Sequence, residues 1–315
     1  MAYSLENKLV IGVSSRALFD MSKENAIFEA EGAKSFVAYE REHEDDILLP
    51  GPGFPLIQSL LRLNDLPGEH TKVEVIVMSR NSPDSSLRVF NAIEHYKLGI
   101  ARAVLVSGAQ LAPYLSAFQT DLFLSAYEDD VQSAVNSGIA AGIIFGSGIG
   151  EGETLINEQG SFRQIRIAFD GDAVLFANDS ERVYQEEGLS AFEENEKKNA
   201  KNPLSAGPFA KFLKTLSELQ NEYPEDAAPI RTALVTSRSA PAHERVIRTL
   251  RAWDVRIDEA FFLGGISKRE VLKAFRADIF FDDQDVHTSP ASEVVPSARV
   301  PWVDKTEEKD AESER

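Results

Sequence analysis

The 315-residue chain contains no cysteine. Disulfides, thiolate metal sites and cysteine nucleophiles are therefore excluded. The compartment stays open, with the cytoplasm as the default. No apolar run approaches the roughly 20 residues a membrane helix needs, so no membrane partner is expected. The opening stretch MAYSLENKLVIGV lacks a basic segment followed by a long apolar one, so no signal peptide is expected. Positive charge is scarce: 33 Lys and Arg stand against 51 Asp and Glu, a formal net charge of −18. Such a surface repels nucleic-acid backbones, and no nucleic-acid partner is expected. Part of the charge sits in DKTEEKDAESER (304–315), too polar to bury anything and expected to form a disordered acidic tail.

What is present is a 43% hydrophobic chain, long enough for two domains, that is written twice. Glu31-Gly32 lines up with Glu187-Gly188 at an offset of 156, as do Phe36 with Phe192 and Gly51-Pro52 with Gly207-Pro208. Further on, VEVIVMSRNSP (73–83) matches RTALVTSRSAP (231–241), and RVFNAIEHYKLGIARAVLVSG (88–108) matches RVIRTLRAWDVRIDEAFFLGG (245–265). The pattern predicts a first copy over 1–150 and a second over 151–303, joined near 146–162. GSGIGEG (146–152) follows an apolar stretch and precedes no clear helix, so it reads as linker rather than as a phosphate-cradling loop.

In the second copy IRIAFD (165–170), TALVTS (232–237), AFFLGG (260–265) and DIFFDD (278–283) suit buried parallel strands. The stretches 208–220 and 242–252 between them have helical spacing. Alternation of this kind predicts an α/β fold with a doubly wound, Rossmann-like parallel sheet, whose ligands bind beyond the carboxyl ends of the strands.

At those ends the copies differ. The second carries Asp170 and Asp172 (FDGDAVLF), Thr236, Lys268 and Asp282-Asp283. At the aligned positions the first has Ser14 and Arg16 (VSSRALF), Met78, Leu111 and Ser125-Ala126. Packing alone does not explain polar groups gathered at strand ends in one copy only. Converging carboxylates repel, a divalent cation relieves the repulsion, and all-oxygen ligands favour Mg²⁺. Asp170 is suited to attack phosphorus. Asp172 is placed to protonate a leaving oxygen and then activate water. Thr236 and Lys268 would hold and neutralise phosphoryl oxygens. One of Asp282 and Asp283 would complete a metal shell with Asp170 and Asp172. Gly171 and Ser237 join the phosphate-binding candidates, although Ser79-Arg80 in the first copy favours a scaffold role for Ser237-Arg238.

The order D-x-D-x-V, strand plus Thr, Lys, then D-D resembles the four motifs of haloacid dehalogenase phosphatases. VSSRALF, the GPGFP region, AFDGDAVLF, the AGP loop, LVTSRSA and FFDDQDVH resemble the cytosolic 5'-nucleotidase I family over nearly the whole chain. The resemblance implies Mg²⁺-dependent hydrolysis of nucleoside 5'-monophosphates such as AMP. Asp170 would be the nucleophile and Asp172 the acid/base, with a backbone carbonyl on the metal. Asp283, favoured over Asp282, would be the remaining ligand. The second copy would be catalytic and the first a degenerate, non-catalytic one.

Blander readings stand beside these. D-x-D alone is commonly a capped turn, and a lone Lys268 a solvated helix residue. Ser14, Ser15 and Arg16 are open between substrate binding across a cleft between the copies and remnants of a lost acidic loop. None of the five histidines has metal spacing; His287 is open between support of the acidic pair and plain surface. Two other functions compete. One is hydrolysis of another small phosphomonoester, such as a sugar phosphate. The other is a phosphoacceptor signalling module, disfavoured because here D-x-D comes first and D-D last. Base preference, effectors and oligomeric state, homo-oligomer included, are not legible.

Overall fold

The computed structural model describes residues 3–66, 72–145 and 163–302. The expected linker at 146–162 and the acidic tail lie outside the described residues, apart from the short approach to the tail. The chain divides into two compact units. One comprises Met1–Ile139 and Ile143–Leu155, the other Ala140–Gly142 and Ile156–Arg315.

In the first unit the strands are β1 (Leu9–Val13), β2 (Phe19–Asp20), β3 (Leu49–Pro50), β4 (Val73–Ser79), β5 (Arg102–Leu105) and β6 (Leu122–Ser125). β7 (Ala140–Phe145) crosses the boundary between the units. The second unit holds β8 (Ile165–Phe169), β9 (Ile230–Thr236), β10 (Glu259–Phe262), β11 (Ile279–Asp282) and β12 (Ser297–Arg299). Every pairing within the order β6-β1-β4-β5 is parallel. So is every pairing within β10-β9-β8-β11-β12. β2 and β3 form a separate antiparallel pair. The expected parallel α/β architecture is what the chain adopts. The central strands β1, β4 and β6 are buried throughout, and β8, β9 and β11 nearly so, which is why they read as apolar runs rather than alternating patterns.

Local chemistry accounts for the elements. Helix Ala210–Asn221 buries Phe212, Leu213, Leu216 and Leu219, an i, i+1, i+4, i+7 stripe that packs on the sheet. Helix Lys268–Phe275 buries Leu272 and Phe275 into the core beside Ala168, Val235 and Phe280. Helices Asp179–Glu187 and Leu189–Lys198 follow β8 and turn on Gly188, whose φ of 84° is a conformation that suits glycine. The first unit repeats the device at Gly32 (φ 81°), between helices Ser22–Glu31 and Ala33–Glu42.

Matching braces recur at the same spacing in the two units. Val10 donates its backbone N–H to Asp121 Oδ2 at 2.9 Å, and Arg166 to Asp278 Oδ2 at 2.7 Å. Asn64 Nδ2 donates to the Val73 carbonyl at 2.9 Å, and Gln220 Nε2 to that of Ile230 at 3.2 Å. Phe28 meets Phe36 edge-on at 6.0 Å, and Tyr184 meets Phe192 edge-on at 6.2 Å.

This register corrects one sequence pairing. Val106 N–H donates to Ser79 O and Leu263 N–H to Thr236 O; Ser107 N–H donates to Asn81 O and Gly264 N–H to Arg238 O. The counterpart of Thr236 is thus Ser79, not Met78, and that of Arg238 is Asn81, not Arg80. A hydroxyl ends the strand in both units. The visible Ser-Arg match is one residue out of step, because sequence identity rewarded the dipeptide while the backbone ladder follows the strand.

Candidate active site

The second unit brings together most of the predicted residues. Phe169 and Phe281 stack at 5.7 Å, and Phe209 packs against both. This apolar layer fixes the ends of the adjacent strands β8 and β11, so the residues that follow, Asp170 and Asp282, emerge side by side. Asp170 N–H continues the ladder to the Phe281 carbonyl at 2.8 Å. After Asp170 the chain turns sharply. Ala173 has φ 60°, and Phe176 N–H donates to the Gly171 carbonyl at 2.8 Å. A Cβ at Gly171 would lie 3.2 Å from Thr236 Oγ1, a tight contact that the hydroxyl would have to yield to.

Lys268, at the start of its helix, is buried and donates to Asp170 Oδ1 at 2.5 Å and Asp282 Oδ2 at 2.6 Å. Asp282 Oδ1 accepts the Gln284 N–H at 2.9 Å. Asp283 Oδ2 accepts from Trp302 Nε1 at 2.6 Å, while Asp283 Oδ1 is buried with no hydrogen-bond partner among the described residues. Oxygens of Asp170, Asp282 and Asp283 all lie within 4.8 Å of one another. Thr236 is buried at the end of β9, and its Oγ1 accepts the Arg238 N–H at 3.2 Å. Ser237 is exposed on the turn beyond it.

The electrostatics follow from crowding. Burial, together with Asp282 and Asp172, outweighs the attraction of Lys268 and lifts the Asp170 pKa to about 7. Burial, Asp170 and Asp282 lift Asp283 to about 8. Asp282 is also raised, by burial, against Lys268. Burial opposes the charge on Lys268, but Asp170 and Asp282 prevail and raise its pKa to about 12. His287 is half-buried; its burial and Lys268 hold its pKa below the usual value.

Three carboxylates and one ammonium leave a formal charge of −2 in a buried place. A divalent cation would neutralise it, and the unpartnered Asp283 Oδ1 gives that ion a waiting ligand. The all-oxygen donor set suits Mg²⁺. Asp282 uses both its oxygens in hydrogen bonds, whereas Asp283 Oδ1 has none among the described residues.

Sequence reasoning missed three partners of the site. Arg238, expected to be scaffold, is buried and grips Asp172 with two bonds, Nε to Oδ2 at 2.7 Å and Nη2 to Oδ1 at 2.6 Å. Glu196 lies behind it, and Trp302 holds Asp283. The Glu40–Glu196 offset of 156 was a signal for Glu196; nothing in the sequence pointed to Trp302.

Ser14, Ser15 and Arg16 belong to the first unit and have partners there. Ser14 Oγ caps the next helix by accepting the Ala17 N–H at 3.2 Å. Ser15 Oγ lies 3.0 Å from Ser79 Oγ. Arg16 donates to Asn25 Oδ1 at 2.7 Å and rests over the Tyr127 ring at 4.6 Å.

Fold and site together define an α/β protein with a buried carboxylate–lysine centre at the strand ends of one unit. The chain belongs to the 5'-nucleotidase family, whose model matches residues 1–307. It is 38% identical over 296 residues to human cytosolic 5'-nucleotidase 1B, an alignment covering 91% of this chain and 47% of that protein. The chain thus spans about half the length of that curated relative. A putative universal stress protein from Pseudomonas aeruginosa UCBPP-PA14 aligns over 98% of both chains at 8% identity, with a TM-score of 0.34. Histidinol dehydrogenase from Elizabethkingia anophelis aligns over 91% of this chain and 51% of its own at 11% identity, with a TM-score of 0.21. Superpositions this loose bear on neither fold nor function. Among the described residues no helix is long and apolar enough to cross a membrane.

Proposed function

We propose that the chain is a 5'-nucleotidase that hydrolyses nucleoside 5'-monophosphates through a phosphorylated Asp170. The observation that carries this reading is the buried group of Asp170, Lys268, Asp282 and Asp283 at adjoining strand ends, in a member of the 5'-nucleotidase family.

Asp170 attacks phosphorus, and the bond from phosphorus to the nucleoside oxygen breaks. Asp172 gives its proton to that departing oxygen. Asp172 then takes a proton from water, whose oxygen attacks phosphorus; phosphate leaves and Asp170 is restored. Lys268 and the hydroxyl of Thr236 hold phosphoryl oxygens, and Gly171 leaves room beside that hydroxyl. Mg²⁺, held by Asp170, Asp283 and the chain near Asp172, would supply charge neutralisation for the transferring group.

The matching strand orders and braces support reading the two units as diverged copies of one haloacid-dehalogenase-like unit. The second, to about residue 303, would be catalytic and the first, to about residue 150, not. The cytoplasm is the proposed location, from the relative's name.

The test is phosphate release from a panel of nucleoside 5'-monophosphates and sugar phosphates, with and without Mg²⁺. Release from nucleotides only when Mg²⁺ is present is expected. Release from sugar phosphates alone would change the substrate class, and no release from any ester would defeat the proposal.

A further inference from the structure

We propose that Arg238 is a positioning residue that, anchored by the buried Glu196, aims Asp172 for proton transfer. This rests on the reading of Asp172 as the proton-transfer group. The guanidinium fork meets both oxygens of Asp172, and its remaining arm, Nη1, donates to Glu196 Oε2 at 2.6 Å. Glu196 is fully buried. Its other oxygen accepts from Ser180 Oγ at 2.8 Å and from Arg245 Nη1 at 2.9 Å. The Phe192 ring lies 5.4 Å from the guanidinium carbon. Arg238 cannot swing away without leaving a buried carboxylate short of a partner. A planar fork fixes the orientation of a carboxylate in a way a lysine cannot. Each Asp172 oxygen keeps a second lone-pair position, free to carry the proton that is donated to the leaving oxygen and then to accept one from water.

The restraint answers a local problem. Asp172 sits on the turn after β8, partly exposed, and its carboxylate and that of Asp170 repel one another, so its orientation needs a hold.

The first unit shows that the fold does not need this arginine. Glu40 and Arg88 stand where Glu196 and Arg245 stand, 156 and 157 residues earlier. The place of Arg238 is taken by Asn81, and the place of Asp172 by Arg16. Glu40 is buried there with neither oxygen hydrogen-bonded among the described residues, and a guanidinium nitrogen of Arg88 is 3.8 Å away. The frame folds with that carboxyl held by this long ion pair and no hydrogen bond among the described residues. The arginine occurs where the aspartate occurs, and its role follows the aspartate rather than the buried glutamate.

The experiment compares kcat/KM for AMP, whose alkoxide needs a proton to leave, with that for p-nitrophenyl phosphate, whose phenolate leaves without one. kcat/KM reports steps up to departure of the leaving group, so the later water attack does not mask the difference. The full chain is assayed with Mg²⁺ as wild type, Asp172→Asn, Arg238→Gln and Arg238→Lys. Arg238→Gln is expected to lower kcat/KM for AMP about 100-fold, mostly through kcat, and that for p-nitrophenyl phosphate less than about 3-fold. Arg238→Lys, which keeps a charge for Glu196 and is the safer variant for folding, should show the same selectivity at about 10-fold. Equal losses on both substrates, or no loss on AMP, in a folded Arg238 variant would overturn the proposal while Asp172→Asn remained selective. A non-selective Asp172→Asn would instead overturn the reading of Asp172, and this proposal with it.

Discussion

Asp170 and Ser14 occupy the same point in two similar frames. Each follows the first strand of its unit, and each continues the ladder to the strand beside it, Ser14 N–H to the Leu124 carbonyl at 2.9 Å and Asp170 N–H to that of Phe281 at 2.8 Å. Around Asp170 stand a buried lysine, two more carboxylates and an unpartnered oxygen. Around Ser14 stand hydroxyls, an asparagine and the apolar Leu111 where Lys268 would be. The difference teaches that the frame is stable with either filling. The charged filling is the costly one, since burial and mutual repulsion push Asp170 and Asp283 well above the ordinary carboxylate range. Charge retained against that cost is the ground for proposing the second unit as the catalytic one.

The sharpest way to break this comparison is to make the second unit resemble the first. Asp170→Asn should lower phosphate release by about 10⁴-fold or more, because no group remains to accept the phosphoryl. Ser14→Ala should leave turnover within about twofold. Similar losses in the two variants, measured as steady-state kcat, would dissolve the distinction between the units.

Metal response should separate them next. The folded-state pKa values of Asp170 and Asp283, about 7 and about 8 without metal, lie above the unfolded values. The metal-free protein therefore has that stabilisation in full below about pH 4 and loses it as pH rises through about 7–8. Mg²⁺ binding to the ionised group offsets the loss, by about 3 kcal/mol at a hundredfold excess over Kd. In thermal melts the upward shift in Tm with Mg²⁺ should grow from pH 6 to pH 8. It should nearly vanish in Asp283→Asn and persist in Ser14→Ala.

The first unit has its own pH signature, at Glu40. Burial lifts its pKa to about 7 against the pull of Arg88. Its contribution is full below about pH 4.5 and is lost as pH rises through about 7. Glu40→Gln should therefore stabilise the protein at pH 8 by about 1–3 kcal/mol and do little at pH 5. Chemical denaturation at the two values measures it. Equal effects at both would mean that the carboxyl titrates in the fold as it does in the unfolded chain.

The smallest effect should be the same in both units. Gly32→Ala and Gly188→Ala each place a Cβ at positive φ, in open space. Each should cost about 1–3 kcal/mol in unfolding free energy, with kcat unchanged. A loss of turnover in Gly188→Ala alone would show that the helical pair of the second unit takes part in the chemistry.

Much of this was legible in the residues. Short apolar runs ending in polar residues or glycine gave β8, β9, β10 and β11 to within about three residues at either end. The order of Asp170, Asp172, Thr236, Lys268 and the 282–283 pair picked out the group the fold assembles. The helical pair 179–198 was not legible, because its apolar positions are few and its polar face is broad. β12 was not legible either, being only three residues long. The Ser-Arg dipeptide misled, since matching letters drew the eye one position away from the backbone register. That slip hid the arginine that grips Asp172.

The sequence by itself determined the chemical inventory and its order along the chain: which carboxylates exist, that they end strands, and that the first unit lacks them. Only the tertiary structure decided the pairing of those groups, because ion-pair partners come from elements 14 to 98 residues apart. A one-residue change of register exchanges an arginine for a serine at the point of contact. Burial then sets how strongly each pair acts, and burial belongs to the packed fold, not to the string.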